Sequence, residues 1–139
     1  MDELIAVLSI WVAAAAGLPE APQPPRVRQY EQHHIGAMHS GRYDAPGNED
    51  IVAIYVGMVD TIVLRDDWDM HDPTDLSALV HELVHHLQHH AGVEYHCPQQ
   101  REGLAFAVQQ QWLGMFGESL QSAYGIDDFT LTLSTNCLY

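Results

Sequence analysis

Residues 72–92, DPTDLSALVHELVHHLQHHAG, carry the strongest signals for regular structure in this chain. Asp72 is a good helix N-cap, and Pro73 suits the first helical position. Ala91-Gly92 provides a stop at the other end. Between these signals the apolar residues recur at helical spacing, at Leu76, Leu79, Val80, Leu83, Val84 and Leu87. The sequence therefore predicts a helix over about residues 73–90.

Two histidines near the middle of this helix, His81 and His85, lie four residues apart. Positions i and i+4 share one helix face, so both imidazoles can reach a single zinc ion. Glu82 lies about 100° round the helix axis from His81, where it can flank the metal and accept a proton from a water bound there. The alternative interpretation is a pair of solvated histidines beside a surface charge.

A third ligand is predicted at Glu102, which opens another helical pattern that runs to Leu113. A loop containing Gly92 and Pro98 separates the two helices and allows an antiparallel return. Glu102 could then face the two histidines and complete a His2Glu zinc site with an open fourth position. The alternative is that Glu102 only favours a helix N-terminus, where negative charge suits the helix dipole.

The motif His81-Glu82-x-x-His85, followed by Glu102-x-x-Ala105, resembles the gluzincin branch of the zincin metallopeptidases. More closely, the run from Ile51 to Leu113 is similar to small, uncharacterised bacterial zincin-like domains of unknown function. This resemblance implies a sheet edge lying above the active helix and a zinc ligand at Glu102.

One position departs from the resemblance. Better-known gluzincins often carry an aspartate four residues after the ligand glutamate, hydrogen-bonded to a ligand histidine. Phe106 occupies that position here. Support for the ligands must therefore come from another part of the chain, or the metal is held less firmly.

The rest of the chain predicts an α+β class. The resemblance implies a minimal zincin-like domain over residues 1–139, with a small antiparallel sheet edge packed on the active helix and the glutamate helix. An N-terminal helix over 1–18 and a proline-rich connection over 19–25 come first. Leu4, Leu8, Trp11 and Ala15 form the predicted core stripe of that helix. Strands are predicted at Arg26–Tyr30, at Ile51–Val56 and Val59–Leu64 as a hairpin, and at Phe129–Ser134, with a loop over 40–50.

Composition limits the classes of partner. The chain has 139 residues, a net charge of −14 and only five Lys plus Arg, which argues against nucleic acid and anionic membrane surfaces. The apolar run from Leu4 to Ala16 is too short to span a bilayer. A peptide or protein substrate is the expected partner, and the negative field favours cationic peptides. The oligomeric state is left open.

The two cysteines, Cys97 and Cys137, lack a Cys-x-x-Cys arrangement, so a thiolate zinc site is not expected. A Cys97–Cys137 disulfide would tie the C-terminal tail to the loop between the two site helices. It would place the protein in an oxidising compartment, periplasmic or secreted. Two free buried thiols are the alternative.

The leading interpretation is a zinc metallopeptidase with Glu82 as general base and His81, His85 and Glu102 as ligands. A zincin-like domain that binds zinc for a partner-binding or metal-binding role, without peptidase activity, is the main alternative. A hydrolase of non-peptide amides is a third. The histidines at 86, 89, 90 and 96 are interpreted as scattered and exposed.

Overall fold

Six α-helices and a three-stranded sheet make up residues 1–40 and 51–138, the part of the chain that the computed structural model describes. The helices are α1 (Asp2–Ala16), α2 (Gln32–Ser40), α3 (Pro73–Ala91), α4 (Pro98–Gly114), α5 (Leu120–Tyr124) and α6 (Asp128–Thr135). The strands are β1 (Arg26–Tyr30), β2 (Ala53–Val56) and β3 (Thr61–Arg65). The α+β class is thus confirmed. The predicted loop over 40–50 lies outside the described residues, apart from residue 40.

Helix α3 begins and ends at the predicted signals. The Asp72 side chain accepts a hydrogen bond from the Thr74 N–H at 2.9 Å. Gly92 follows the last turn with a φ of 67°, in the left-handed region, and its N–H bonds to carbonyls of that turn. The helix has 19 residues and extends one residue beyond the predicted range.

Three aromatic side chains hold the first turn of α3. The indole N–H of Trp112 donates to the Pro73 carbonyl at 3.0 Å, and the Tyr124 hydroxyl donates to the Thr74 carbonyl at 2.7 Å. The Trp68 indole N–H donates to the Asp75 carbonyl at 2.6 Å. Donors from three separate segments therefore oppose any rotation of α3 about its own axis.

The sheet has the strand order β1-β3-β2. Strands β2 and β3 are antiparallel, with Ile54 opposite Val63, which confirms the predicted hairpin. A short 3-10 turn at Gly57–Val59 connects them. Strand β1 lies parallel to β3, so the sheet is mixed and the antiparallel prediction holds for one pair only. The chain passes through α2 between β1 and β2, and Ile35 of α2 packs against Ile54 and Val63 on one sheet face.

The main core lies between the other sheet face and helices α1, α3 and α4. Helix α1 packs there as predicted, but its buried stripe is centred on Ile5, Leu8 and Val12. Of the predicted stripe only Leu8 is fully buried, while Leu4, Trp11 and Ala15 are half-buried at its margins. The opposing surfaces of the sheet and α3 contribute Ile62, Leu64, Leu79, Val80, Leu83 and Leu87.

The predicted C-terminal strand over Phe129–Ser134 is wrong, because these residues belong to helix α6. Apolar and hydroxyl residues alternate there, which is typical of a strand. However, Asp127 caps the helix by accepting from the Thr130 N–H at 2.7 Å. The hydroxyls of Thr132 and Ser134 each donate to the carbonyl four residues earlier, at 2.8 Å, so a helix satisfies them.

The predicted Cys97–Cys137 disulfide is present and joins the N-cap of α4 to the residues after α6. It therefore fastens the C-terminal helix against the helix that begins at Pro98. Among the helices of the described residues, none has both the length and the apolar character needed to cross a membrane.

Candidate metal centre

The three predicted ligands meet at the face between α3 and α4; we call His81, His85 and Glu102 the cleft cluster. The Nε2 atoms of the two histidines are 3.2 Å apart. Glu102 Oε2 lies 2.8 Å from His81 Nε2, and Glu102 Oε1 lies 3.1 Å from His85 Nε2. Helix α4 runs antiparallel to α3, because Arg101 lies near Gln88 while Trp112 contacts Pro73.

Each histidine is oriented by a glutamine at its other ring nitrogen. His85 Nδ1 lies 2.8 Å from Gln88 Oε1, and the Gln88 amide N–H donates to the Arg101 carbonyl at 3.0 Å. Because a carbonyl can only accept, the Gln88 amide orientation is fixed with its oxygen toward His85. The His85 Nδ1 is consequently the protonated nitrogen.

The same logic fixes His81 through a longer chain of hydrogen bonds. The Ser77 hydroxyl donates to the Thr74 carbonyl at 2.6 Å, so it accepts from the Gln109 amide N–H at 3.1 Å. The Gln109 Oε1 then faces His81 Nδ1 at 2.8 Å and accepts a hydrogen bond from its N–H. Gln109 therefore provides the support that the sequence left unassigned, and Phe106 packs edge-on against the His81 ring.

This arrangement fits a metal ion. With Nδ1 protonated, a neutral imidazole directs the lone pair of Nε2 inward, so two lone pairs and a carboxylate converge on one point. Their mutual repulsion is offset either by a bound cation or, in the metal-free protein, by protons on Nε2 that form hydrogen bonds to Glu102. For zinc at about 2.0–2.1 Å from each donor, tetrahedral ligand atoms lie roughly 3.3 Å apart. The observed separations of 2.8 to 3.2 Å are close to that value.

Glu82 lies beside the cleft cluster, as the motif predicts. Its side chain is buried, and Oε2 has no hydrogen-bond partner among the described residues. Burial raises the pKa of this carboxyl, against the opposing attraction of His81 and His85. An unpartnered buried carboxylate oxygen is costly unless it has a function or a ligand.

The charged groups of the cleft cluster shift one another's pKa values. Burial alone would raise the pKa of Glu102, but hydrogen bonds from His81 and His85 outweigh it and hold that pKa well below its usual range. Burial alone would lower the pKa of His85, and the neighbouring Glu102 and Glu82 carboxylates raise it instead. The carboxylate of Glu102 is therefore ionised and available as a ligand.

A cleft of about 720 Å³ opens above the cluster. Strand β2 borders it and, within the described residues, pairs on only one side, with β3. Apolar residues from the second half of the chain also line the cleft, namely Phe106, Ile126 and Leu133. The cleft can therefore take an extended chain beside β2.

Side chains that could donate a hydrogen bond to an oxyanion in the cleft are partly engaged elsewhere. Tyr55 and Tyr124 both line the cleft, but their hydroxyls donate to Asp60 Oδ1 at 2.6 Å and to the Thr74 carbonyl. Tyr95 lines a neighbouring pocket. The His96 backbone N–H donates to Gln100, and His96 is not among the residues that line the cleft.

Sequence reasoning missed two features of this helix. Gln88 was not singled out, although its position three residues after His85 places it on the same helix face. The interpretation of His86 as exposed is wrong: it is 1% exposed and bonded to Asp60. For His86 the partner comes from a distant segment of the chain, whereas the spacing of Gln88 from His85 was a local signal.

The chain belongs to the family described as Domain of unknown function (DUF6647), which it matches over residues 1–138. Neither the curated proteins nor the solved structures contain a match to it.

Proposed function

We propose that this protein is a zinc-dependent metallopeptidase, with His81, His85 and Glu102 as ligands and Glu82 as general base. The observation that carries this proposal is the convergence of two Nε2 atoms and a carboxylate within 3.2 Å, next to a buried carboxylate oxygen that has no partner among the described residues. Bound zinc supplies a Lewis acid that activates water and polarises a carbonyl.

Within this proposal Glu82 moves the proton. Its carboxyl has a raised pKa, closer to neutrality, which suits a group that must both accept and release a proton. It takes the proton of the attacking water and gives it to the nitrogen of the leaving amine. The glutamines at 88 and 109 keep the two imidazoles in the tautomer that leaves Nε2 free to bind metal.

The edge of β2 supports a peptide as the substrate, because among the described residues β2 pairs only with β3. Backbone N–H and C=O groups on its other side can bind an extended chain as an added strand, which aligns a scissile bond along the cleft. The net charge of −14 favours peptides with basic residues. The Cys97–Cys137 disulfide supports a periplasmic or secreted location.

The decisive experiment compares wild type with Glu82→Gln. We expect both to bind zinc, and the variant to hydrolyse a diverse peptide library about 10²- to 10⁴-fold more slowly, because it cannot accept the proton. The exposed Glu94, changed to Gln in the same way, is the matched control and should leave the rate unchanged. Zinc content is measured by elemental analysis and cleavage by mass spectrometry.

The outcomes separate the competing functions. Wild type that binds no zinc at the cleft cluster contradicts the whole proposal. Wild type that binds zinc there but cleaves no peptide favours the zinc-binding domain without peptidase activity. Cleavage at equal rates by wild type and Glu82→Gln removes Glu82 from its role.

A further inference from the structure

A second group of ligand-type side chains lies on the same helix, outside the cleft. His86 and His90 are again four residues apart, and Asp60 faces them from the turn before β3. Asp60 Oδ1 lies 2.7 Å from His86 Nδ1, and Oδ2 lies 3.1 Å from His90 Nε2. We call these three residues the turn cluster. None of them lines the cleft.

The two ring nitrogens of His86 have different partners, and Nδ1 faces the Asp60 carboxylate. His86 Nε2 lies 3.1 Å from the Gln23 carbonyl, which can only accept, so Nε2 carries the proton. In a neutral ring the Nδ1 lone pair then points at Asp60 Oδ1. That oxygen already accepts a hydrogen bond from the Tyr55 hydroxyl at 2.6 Å. A cation between ring and carboxylate is required to make this contact favourable.

One observation favours a metal ion over a second proton on the ring: His86 is only 1% exposed, and a charged ring is costly to bury. His90 Nε2 lies 3.1 Å from the other oxygen of the same carboxylate, where the neutral ring can donate a hydrogen bond or, in its other tautomer, direct a lone pair at a metal ion. A metal ion accounts for all three side chains, because two imidazoles and one carboxylate form a common ligand set for zinc.

The surroundings of the turn cluster also have the form of a supported metal site. Ligand histidines usually donate their second N–H to a backbone carbonyl or carboxylate, as His86 does to Gln23. Ligand carboxylates are usually hydrogen-bonded in turn, as Asp60 is by Tyr55. Asp60 has a φ of 48°, a left-handed conformation that aspartate tolerates better than most residues.

We propose that Asp60, His86 and His90 bind a second divalent transition-metal ion, of the zinc type, independently of the cleft cluster. This ion would join three segments, namely the connection at Gln23, the turn at Asp60 and helix α3. Because Tyr55 lines the cleft and donates to Asp60, the ion would also fix the β2 side of the cleft. Its role is structural, and it requires no peptidase activity.

The test is a zinc titration of the metal-free full-length chain, followed by calorimetry and by native mass spectrometry. We expect wild type to bind two equivalents, and Asp60→Asn and His90→Ala to bind one each. Asn keeps the size and the left-handed tolerance of Asp60, and the His90 side chain is 30% exposed, so both variants should fold. His89→Ala, next to His90 and exposed, is the matched control and should keep two equivalents.

His81→Ala distinguishes this proposal from the proposed function. It should lose the equivalent at the cleft cluster and keep the one at the turn cluster. Asp60→Asn combined with His81→Ala should then bind none. A wild type that binds a single equivalent, lost in His81→Ala and retained in Asp60→Asn and His90→Ala, overturns the second site. So does retention of both equivalents by these two turn-cluster variants.

Discussion

The cleft cluster and the turn cluster both combine a histidine pair of α3 with one carboxylate, yet their surroundings differ. In the cleft cluster the second nitrogens face glutamine side chains, and Glu82 stands beside an open space. In the turn cluster His86 faces the Gln23 backbone carbonyl, and the Tyr55 hydroxyl donates a hydrogen bond to the Asp60 carboxylate. The i, i+4 spacing produces a pair of potential metal ligands in each cluster. The groups around each pair determine whether we expect a bound ion to be catalytic or structural.

The largest expected difference between the clusters comes from the disulfide. Removing it with Cys97→Ser and Cys137→Ser should lower the free energy of unfolding by about 3 to 4 kcal/mol, since the bridge spans 40 residues. Cys97 is the N-cap of α4, which carries Glu102, so zinc binding at the cleft cluster should weaken as well. Urea unfolding and zinc titration measure the two effects. If zinc binding at the turn cluster weakened equally, the effect of the disulfide would not be specific to the cleft cluster, which would contradict this prediction.

A smaller effect is expected from the support of His81. Gln109→Leu removes the oxygen that accepts a hydrogen bond from the His81 Nδ1–H, and should weaken zinc binding at the cleft cluster about 10- to 100-fold. The turn cluster should be unaffected. Competition with a chelator of known affinity gives both constants. Gln111→Leu, an exposed change on the same helix, is the control; a loss of similar size there would indicate a general effect on α4.

The smallest expected effect is the pH dependence of the metal-free protein. Glu102 has a lowered pKa, so it adds stability above the ordinary glutamate value of 4.5, lost as the pH falls through its folded pKa. His85 has a raised pKa, so its contribution is present below 6.5 and lost as the pH rises through its folded value. The cleft cluster therefore stabilises the metal-free chain most between about pH 4.5 and 6.5.

Thermal melts across this range, with a chelator present, measure the profile. Glu102→Gln should flatten it, because the variant lacks the carboxylate that both histidines contact. A pH profile of unchanged shape in that variant would contradict the stabilising interaction between Glu102 and the two histidines. With zinc bound, acidification should be destabilising throughout, since protons compete with the metal for the ligands.

The parts predicted correctly from sequence have local causes. Helix α3 follows from its cap, its proline and its apolar spacing, and those signals lie within the helix or next to it. The positions of His81, Glu82 and His85 follow from the helix alone. The approach of Glu102 required only one more helix and a short antiparallel return.

Two of the parts that were missed depend on distant segments. Asp60 lies 26 residues before His86, and the fold of the hairpin against α3 brings them together. The parallel pairing of β1 with β3 joins two strands that α2 and β2 separate along the chain. In α6 the alternation of Phe129, Leu131 and Leu133 with hydroxyl residues indicates a strand. The cap at Asp127 was a local signal for a helix there.

The aromatic donors at the start of α3 have a consequence for spectroscopy. The chain has three tryptophans; Trp68 and Trp112 bond to the first turn of α3, and the Trp11 ring lies 5.4 Å from that of Trp112. All the indole fluorescence of the unlabelled protein therefore originates around one end of the helix that carries both clusters. Its emission wavelength is an intrinsic reporter of whether that end remains seated during metal exchange.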